Sequence, residues 1–123
     1  PDVSSEERNW LLRHASVVLY PTSAEGFGFV PFEAARNGTP TVNVAFGPVQ
    51  ELAGDVPVVA ENWTPAALAD AAERLLRDPA LSQAQIDACL NAGTNYTWPL
   101  AAEQLTAVYR SVLARPRRCH AAP

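Results

Sequence analysis

Two acids, Glu25 and Glu33, bracket the run Gly26-Phe27-Gly28-Phe29-Val30-Pro31-Phe32. Gly26 and Gly28 carry no Cβ, so the main chain there can turn tightly and bring the amides of Gly26, Phe27, Gly28, Phe29 and Val30 close to a ligand. Pro31 suits the first position of a helix, because it has no N–H to lose there. A helix starting at Pro31 aims its free amides and the positive end of its dipole at the loop, a setting that favours phosphate or diphosphate without any lysine. A carboxylate is acceptor-only, and its two oxygens suit vicinal hydroxyls such as those of ribose or a hexose. With Glu25 ahead of the glycines and Glu33 in the first helical turn, both acids are expected to face one pocket, and the implied ligand is a sugar with phosphate. The plainer alternative is a tight strand-to-helix turn in which Glu33 only complements the dipole.

The elements around this run alternate in type. Ser4 with Glu7 three residues on is a capping-box pattern, and Trp10, Leu11 and Ala15 follow at helical spacing, which predicts a helix ending near His14. The apolar run at 16–20 lacks alternation and predicts a strand buried on both faces, hence a parallel sheet. A helix over 31–37 stops at Asn37-Gly38, a left-handed cap, and 40–44 reads as a second strand. A short helix at 49–53 precedes a third strand at 56–59, where Pro57 argues for an edge position. Thr64-Pro65 and Asp78-Pro79 open two helices, the first with Leu68, Ala72, Leu75 and Leu76 on one face and the second burying Leu81, Ile86 and Leu90. A third helix from Thr97 to Ala114 is expected to bury Leu100, Leu105, Val108, Tyr109 and Val112. The fold class is therefore α/β, a partial Rossmann-like parallel sheet with flanking helices. Three strands are few for such a sheet, so further strands are expected upstream of Pro1.

Composition closes off several classes. The chain has 123 residues, enough for one core, and 48% of them are hydrophobic. Its formal charge of −4 gives no basic face for nucleic acid. All nine basic residues are Arg, which excludes lysine chemistry and a Walker-type phosphate loop. No run is long and apolar enough for a membrane span, and nothing resembles a signal peptide. Cys89 and Cys119 lack metal-ligand spacing and read as free thiols in a reducing, cytoplasmic setting. A chain with no Met that starts at Pro1 reads as a piece of a longer protein.

The stretch from Leu19 to Val42, with Glu25, Gly26-Phe27-Gly28, Pro31 ahead of Glu33, and Gly38-Thr39-Pro40-Thr41-Val42, resembles the Glu-x7-Glu signature of family 4 glycosyltransferases of the GT-B fold. Glu51-Leu52-Ala53-Gly54-Asp55, Leu76-Arg77-Asp78-Pro79 and Tyr96-Thr97-Trp98 are also similar to that family, so the likeness covers almost the whole chain. The resemblance implies the carboxy-terminal, nucleotide-sugar-binding domain of a retaining enzyme, spanning 1–114, incomplete at its amino-terminal side and followed by a flexible tail at 115–123. It implies that Glu33 bonds the ribose hydroxyls and that Glu25 contacts the donor sugar near the reacting centre, as the catalytic residue. The amides of Gly26, Phe27 and Gly28 would meet sugar hydroxyls, and those of Phe29 and Val30 the diphosphate. Transfer with retention is usually described as a same-face attack assisted by the leaving diphosphate, with no metal or other cofactor. The family's Arg and Lys phosphate clamp and its acceptor domain lie upstream, so this chain alone is expected to transfer no sugar and to bind a nucleotide-diphosphate sugar weakly. The chain departs from the family at 45–48 and 60–63, where contacts to the donor sugar and base are in question.

Other candidates have plainer readings. His14 suits a helix C-terminus. Phe27, Phe29 and Phe32 suit packing under the loop more than stacking on a sugar. Arg36 is one turn beyond Glu33 and fits a solvated face. The three Asn-x-Thr triplets at Asn37, Asn62 and Asn95 lack a secretion signal. Arg115, Arg117 and Arg118 read as a solvated tail, although enzymes of this kind often act peripherally at membranes. The rival class is a non-catalytic binding or interaction module on the same half-sheet; a phosphorylase or epimerase of similar architecture is a second.

Overall fold

The computed structural model describes residues 2–45 and 47–115. Phe46, Cys119, His120 and the expected tail beyond Arg115 lie outside the described residues. In chain order the elements are α1 (Ser5–His14), β1 (Val18–Tyr20), α2 (Val30–Arg36), β2 (Thr41–Val44), α3 (Gly47–Ala53), β3 (Val59–Ala60), α4 (Pro65–Arg77), α5 (Pro79–Gly93) and α6 (Trp98–Ala114). The strands form one parallel sheet in the order β1-β2-β3.

Local chemistry explains most helix ends. Ser4 and Glu7 form the expected capping box, the Ser4 amide donating to Glu7 Oε2 at 2.8 Å and the Glu7 amide to Ser4 Oγ at 3.2 Å. Thr64, Asp78 and Thr97 accept first-turn amides of α4, α5 and α6, each of which has Pro in its opening positions. Gly38, at φ 81, takes the left-handed conformation just past α2.

Strand alternation sends Val42 and Val44 to one face, where they pack with Val58, Ala60, and Ala71 and Leu75 of α4. Thr41 and Asn43 point to the opposite face, where α2 and α5 join through Ala35, Ile86 and Cys89. The side chain of Gln85, fully buried on α5, stitches that layer to the sheet: Nε2 donates to Thr41 O at 2.8 Å and Val58 O at 2.9 Å, and Oε1 accepts from Val58 N at 2.8 Å.

Several expectations need correcting. β1 is not buried on both faces: it is a terminal strand, and Leu19 is 51% exposed because α4 covers β2 and β3 instead. β3 is terminal, as Pro57 suggested, but it spans Val59–Ala60 and not 56–59. Pro57 has no N–H for a ladder, and the Val58 amide is taken by Gln85. Leu76 and Leu90 lie exposed at the margins of α4 and α5. α6 buries none of Leu100, Leu105, Val108, Tyr109 or Val112, because α4 covers one sheet face and α2, α3 and α5 the other.

Candidate functional site

β1 ends at Tyr20, and the loop beyond it carries Glu25 and the two glycines into α2, at the carboxyl rim of the sheet where open α/β folds bind ligands. Gly28 is buried at φ 82, a left-handed conformation that side chains with a Cβ rarely adopt, so this turn requires glycine. Gly26 differs: a Cβ there would meet nothing within 4 Å. No backbone amide from Gly26 to Val30 donates to another protein group among the described residues. α2 also starts without a side-chain cap at Phe29, which leaves its first amides open.

Phe27 and Phe32 are half-buried and cluster with Tyr96. Phe27 stacks on Phe29 at 4.5 Å between ring centres and meets Tyr96 edge-on at 5.0 Å, and Phe32 lies 5.9 Å from Tyr96. Phe29 is 63% exposed. Trp63 Nε1 donates to Thr22 O at 3.1 Å, pinning the start of the loop to the segment after β3. His14 Nδ1 donates to Trp10 O at 2.8 Å and its ring stacks on Trp10, in keeping with a structural role.

The two acids have separate anchors. Glu33, at the base of α2, is clasped by Arg8 of α1: Arg8 Nη1 donates to Oε1 at 3.0 Å and Nη2 to Oε2. Glu25 is exposed, and its Oε1 accepts from the Tyr20 hydroxyl. Burial first, then the bond to and charge of Glu25, then the charge of Glu33, push the Tyr20 hydroxyl up to about 12. A cavity of about 550 Å³ opens between α2 and α5, with Glu33, Arg36, Phe27, Phe32, Cys89 and Tyr96 in its wall; Glu25 does not line it.

Sequence reasoning named the acids and the loop but missed their partners. Arg36 is exposed, as expected, and the partner of Glu33 is Arg8. Tyr20 and Trp63 carried no motif of their own, although a tyrosine ending a strand beside an acidic loop is a signal that could have been used. Among the described residues no group of three or more His, Cys, Asp or Glu could hold a metal, and no helix is long and apolar enough to cross a membrane.

Cys89, on the cavity wall, is a free thiol that burial pushes up to about 11. Because the folded value lies above the unfolded one, the neutral thiol's stabilisation is complete below about pH 8.5 and is lost as pH rises towards 11. Urea denaturation across that window is expected to show a loss on the order of 2 kcal/mol that Cys89→Ala removes; identical slopes in both proteins would contradict it.

The family model described as Glycosyl transferases group 1 matches residues 2–91. A D-inositol 3-phosphate glycosyltransferase of Corynebacterium diphtheriae is 35% identical over 118 residues, covering 94% of this chain and 28% of that protein. Another, from Catenulispora acidiphila, is 38% identical over 103 residues, covering 82% of this chain and 25% of that protein. Among solved structures, sucrose-phosphate synthase from Thermosynechococcus elongatus superposes with a TM-score of 0.67 at 29% identity, covering 81% of this chain and 26% of that one. The chain thus spans about a quarter of the length of the proteins it matches.

Proposed function

This chain belongs to the group 1 glycosyl transferases, and from that premise we propose that it is the donor-binding part of a larger GT-B enzyme that moves a sugar from a nucleotide-diphosphate sugar to an acceptor with retention of anomeric configuration. The observation that carries the reading is the loop itself: a turn that requires Gly28, amides from Gly26 to Val30 with no acceptor among the described residues, and an acid on either flank. Glu33 takes the ribose hydroxyls in this reading, Glu25 the sugar near its reacting carbon, and the amides of Phe29 and Val30 the diphosphate. The pocket is completed by a clamp and an acceptor domain outside these 123 residues, so the chain by itself turns nothing over. The enzyme works in the cytoplasm, a setting in keeping with the Cys89 thiol, with peripheral contact to a membrane as a further part of the proposal.

A second reading has one observation in its favour. Arg8 occupies both oxygens of Glu33, as it would if the acid served only to pin α1 to α2 in a non-catalytic module. Glu33→Ala in the larger enzyme separates the two. Loss of charge-assisted hydrogen bonds to ribose is expected to weaken binding of UDP-, GDP- or ADP-glucose, whichever the enzyme uses, by about 1.5–3 kcal/mol in calorimetry. Unchanged affinity would favour the interaction module. The same preparation, supplied with donor and with D-inositol 3-phosphate as the first acceptor tried, is expected to form an axial product from an axial donor by NMR, while the 123-residue chain forms none.

A further inference from the structure

We propose that Tyr20 is the positioning residue of Glu25: from the end of β1 its hydroxyl holds the loop carboxylate where the donor sugar will meet it. The inference rests on the reading of Glu25 as the acid beside the reacting carbon.

Glu25 is an exposed side chain on a connecting loop, and such a side chain has many rotamers unless something holds it. Among the described residues its one hydrogen-bond partner is Tyr20. Tyr20 is suited to hold it because its own backbone is fixed: it pairs with Asn43 in the parallel ladder, and β2 is the buried central strand. The loop is tied again at Thr22, which accepts from Trp63 through its carbonyl and turns onto Ala24 through its hydroxyl. Just past these ties, the one hydrogen bond among the described residues that sets the direction of the Glu25 side chain comes from the strand-borne hydroxyl, an arrangement in which a rigid element orients a loop group.

The hydroxyl is also the right kind of donor. Burial and the two acids keep it protonated far above neutral pH, so it donates to Glu25 without adding charge of its own. Glu33 has both oxygens engaged by Arg8, and Glu25 is the acid that accepts from the hydroxyl. A lysine or arginine in its place would neutralise the carboxylate; a phenol orients it and leaves its negative charge available to a sugar carbon that gains positive charge as the diphosphate departs.

The test is a double-mutant cycle in the larger enzyme, with steady-state turnover of whichever of UDP-, GDP- and ADP-glucose it uses. Tyr20→Phe is expected to lower kcat about 10- to 50-fold, leave the donor KM within about threefold, and leave the thermal midpoint within a few degrees. In the Glu25→Gln background the same change is expected to alter kcat less than about twofold, since the hydroxyl acts through the charge already removed. Equal losses in both backgrounds would show a general structural role and overturn the proposal, as would full activity of Tyr20→Phe alone. Should Glu25→Gln by itself retain full turnover, the catalytic reading of Glu25 fails, and the role given to Tyr20 falls with it.

Discussion

Gln85→Ala is expected to destabilise the chain by about 4 kcal/mol, enough to remove most of the cooperative urea transition of a domain this small. Gln85 is 0% exposed and makes three hydrogen bonds to main-chain groups of Thr41 and Val58. Truncation leaves Val58 N, Val58 O and Thr41 O without that partner in a buried layer, at about 1–3 kcal/mol for each unsatisfied group, and opens a cavity besides. Gln85→Met distinguishes the two contributions. It refills the volume yet supplies neither donor nor a strong acceptor, so it is expected to recover less than half of the loss. Recovery to the parent's midpoint would mean that volume alone matters there.

Gln85 also shows why the fold was only partly legible. Periodicity placed Ile86 in the core, and that holds, but a rule that assigns polar residues to the solvent side passes over the glutamine beside it. The signal was Pro57: a strand that must form where an N–H is missing needs a partner from elsewhere, and α5 provides it. Helix starts were readable because capping is local chemistry, decided within four residues at Ser4, Thr64, Asp78 and Thr97. Burial on α6 was not, since an apolar stripe states that a partner is wanted without stating where it is: Trp98 is 90% exposed and Leu105, Val108, Tyr109 and Val112 all lie more than half open.

The candidate site divides in the same way. Glu25, Gly28 and Glu33 stand out in the sequence because they frame a glycine-rich turn into a helix with Pro in its opening positions, a pattern that a plain strand-to-helix turn shares; the turn itself forms, with Gly28 at φ 82. The partners of the acids come from residues distant in sequence or lacking a motif. Arg8 lies 25 residues before Glu33 and reaches it only because α1 packs on α2. One expectation fails: the acids do not face one pocket, since Glu33 lines the cavity between α2 and α5 while Glu25 lies outside it, bonded to Tyr20. The two acids sit in separate surroundings, Glu33 with Arg8 at the cavity wall and Glu25 with Tyr20 at the end of β1.

The largest functional effect is expected from Glu25→Gln in the larger enzyme: a fall in kcat of about 10²–10³, equivalent to about 3–4 kcal/mol of transition-state stabilisation, with donor affinity changed little. The substitution is close to isosteric. Its amide oxygen can still accept from the Tyr20 hydroxyl, so loop geometry and hydrogen bonding to sugar hydroxyls are largely kept and the negative charge is what is lost. A charge facing the sugar matters little while the carbon–oxygen bond to the diphosphate is intact, and matters most as that bond lengthens and positive charge grows on the ring; a differential of that kind appears in kcat and not in KM. Glu33→Ala should give the reverse pattern, a weakened donor complex with a smaller change in kcat at saturation, because ribose is bound equally in both states. Rapid-quench measurement of a single turnover for the two variants separates binding from chemistry. A Glu25→Gln enzyme whose single-turnover rate stays within about threefold of the parent would remove Glu25 from the chemical step.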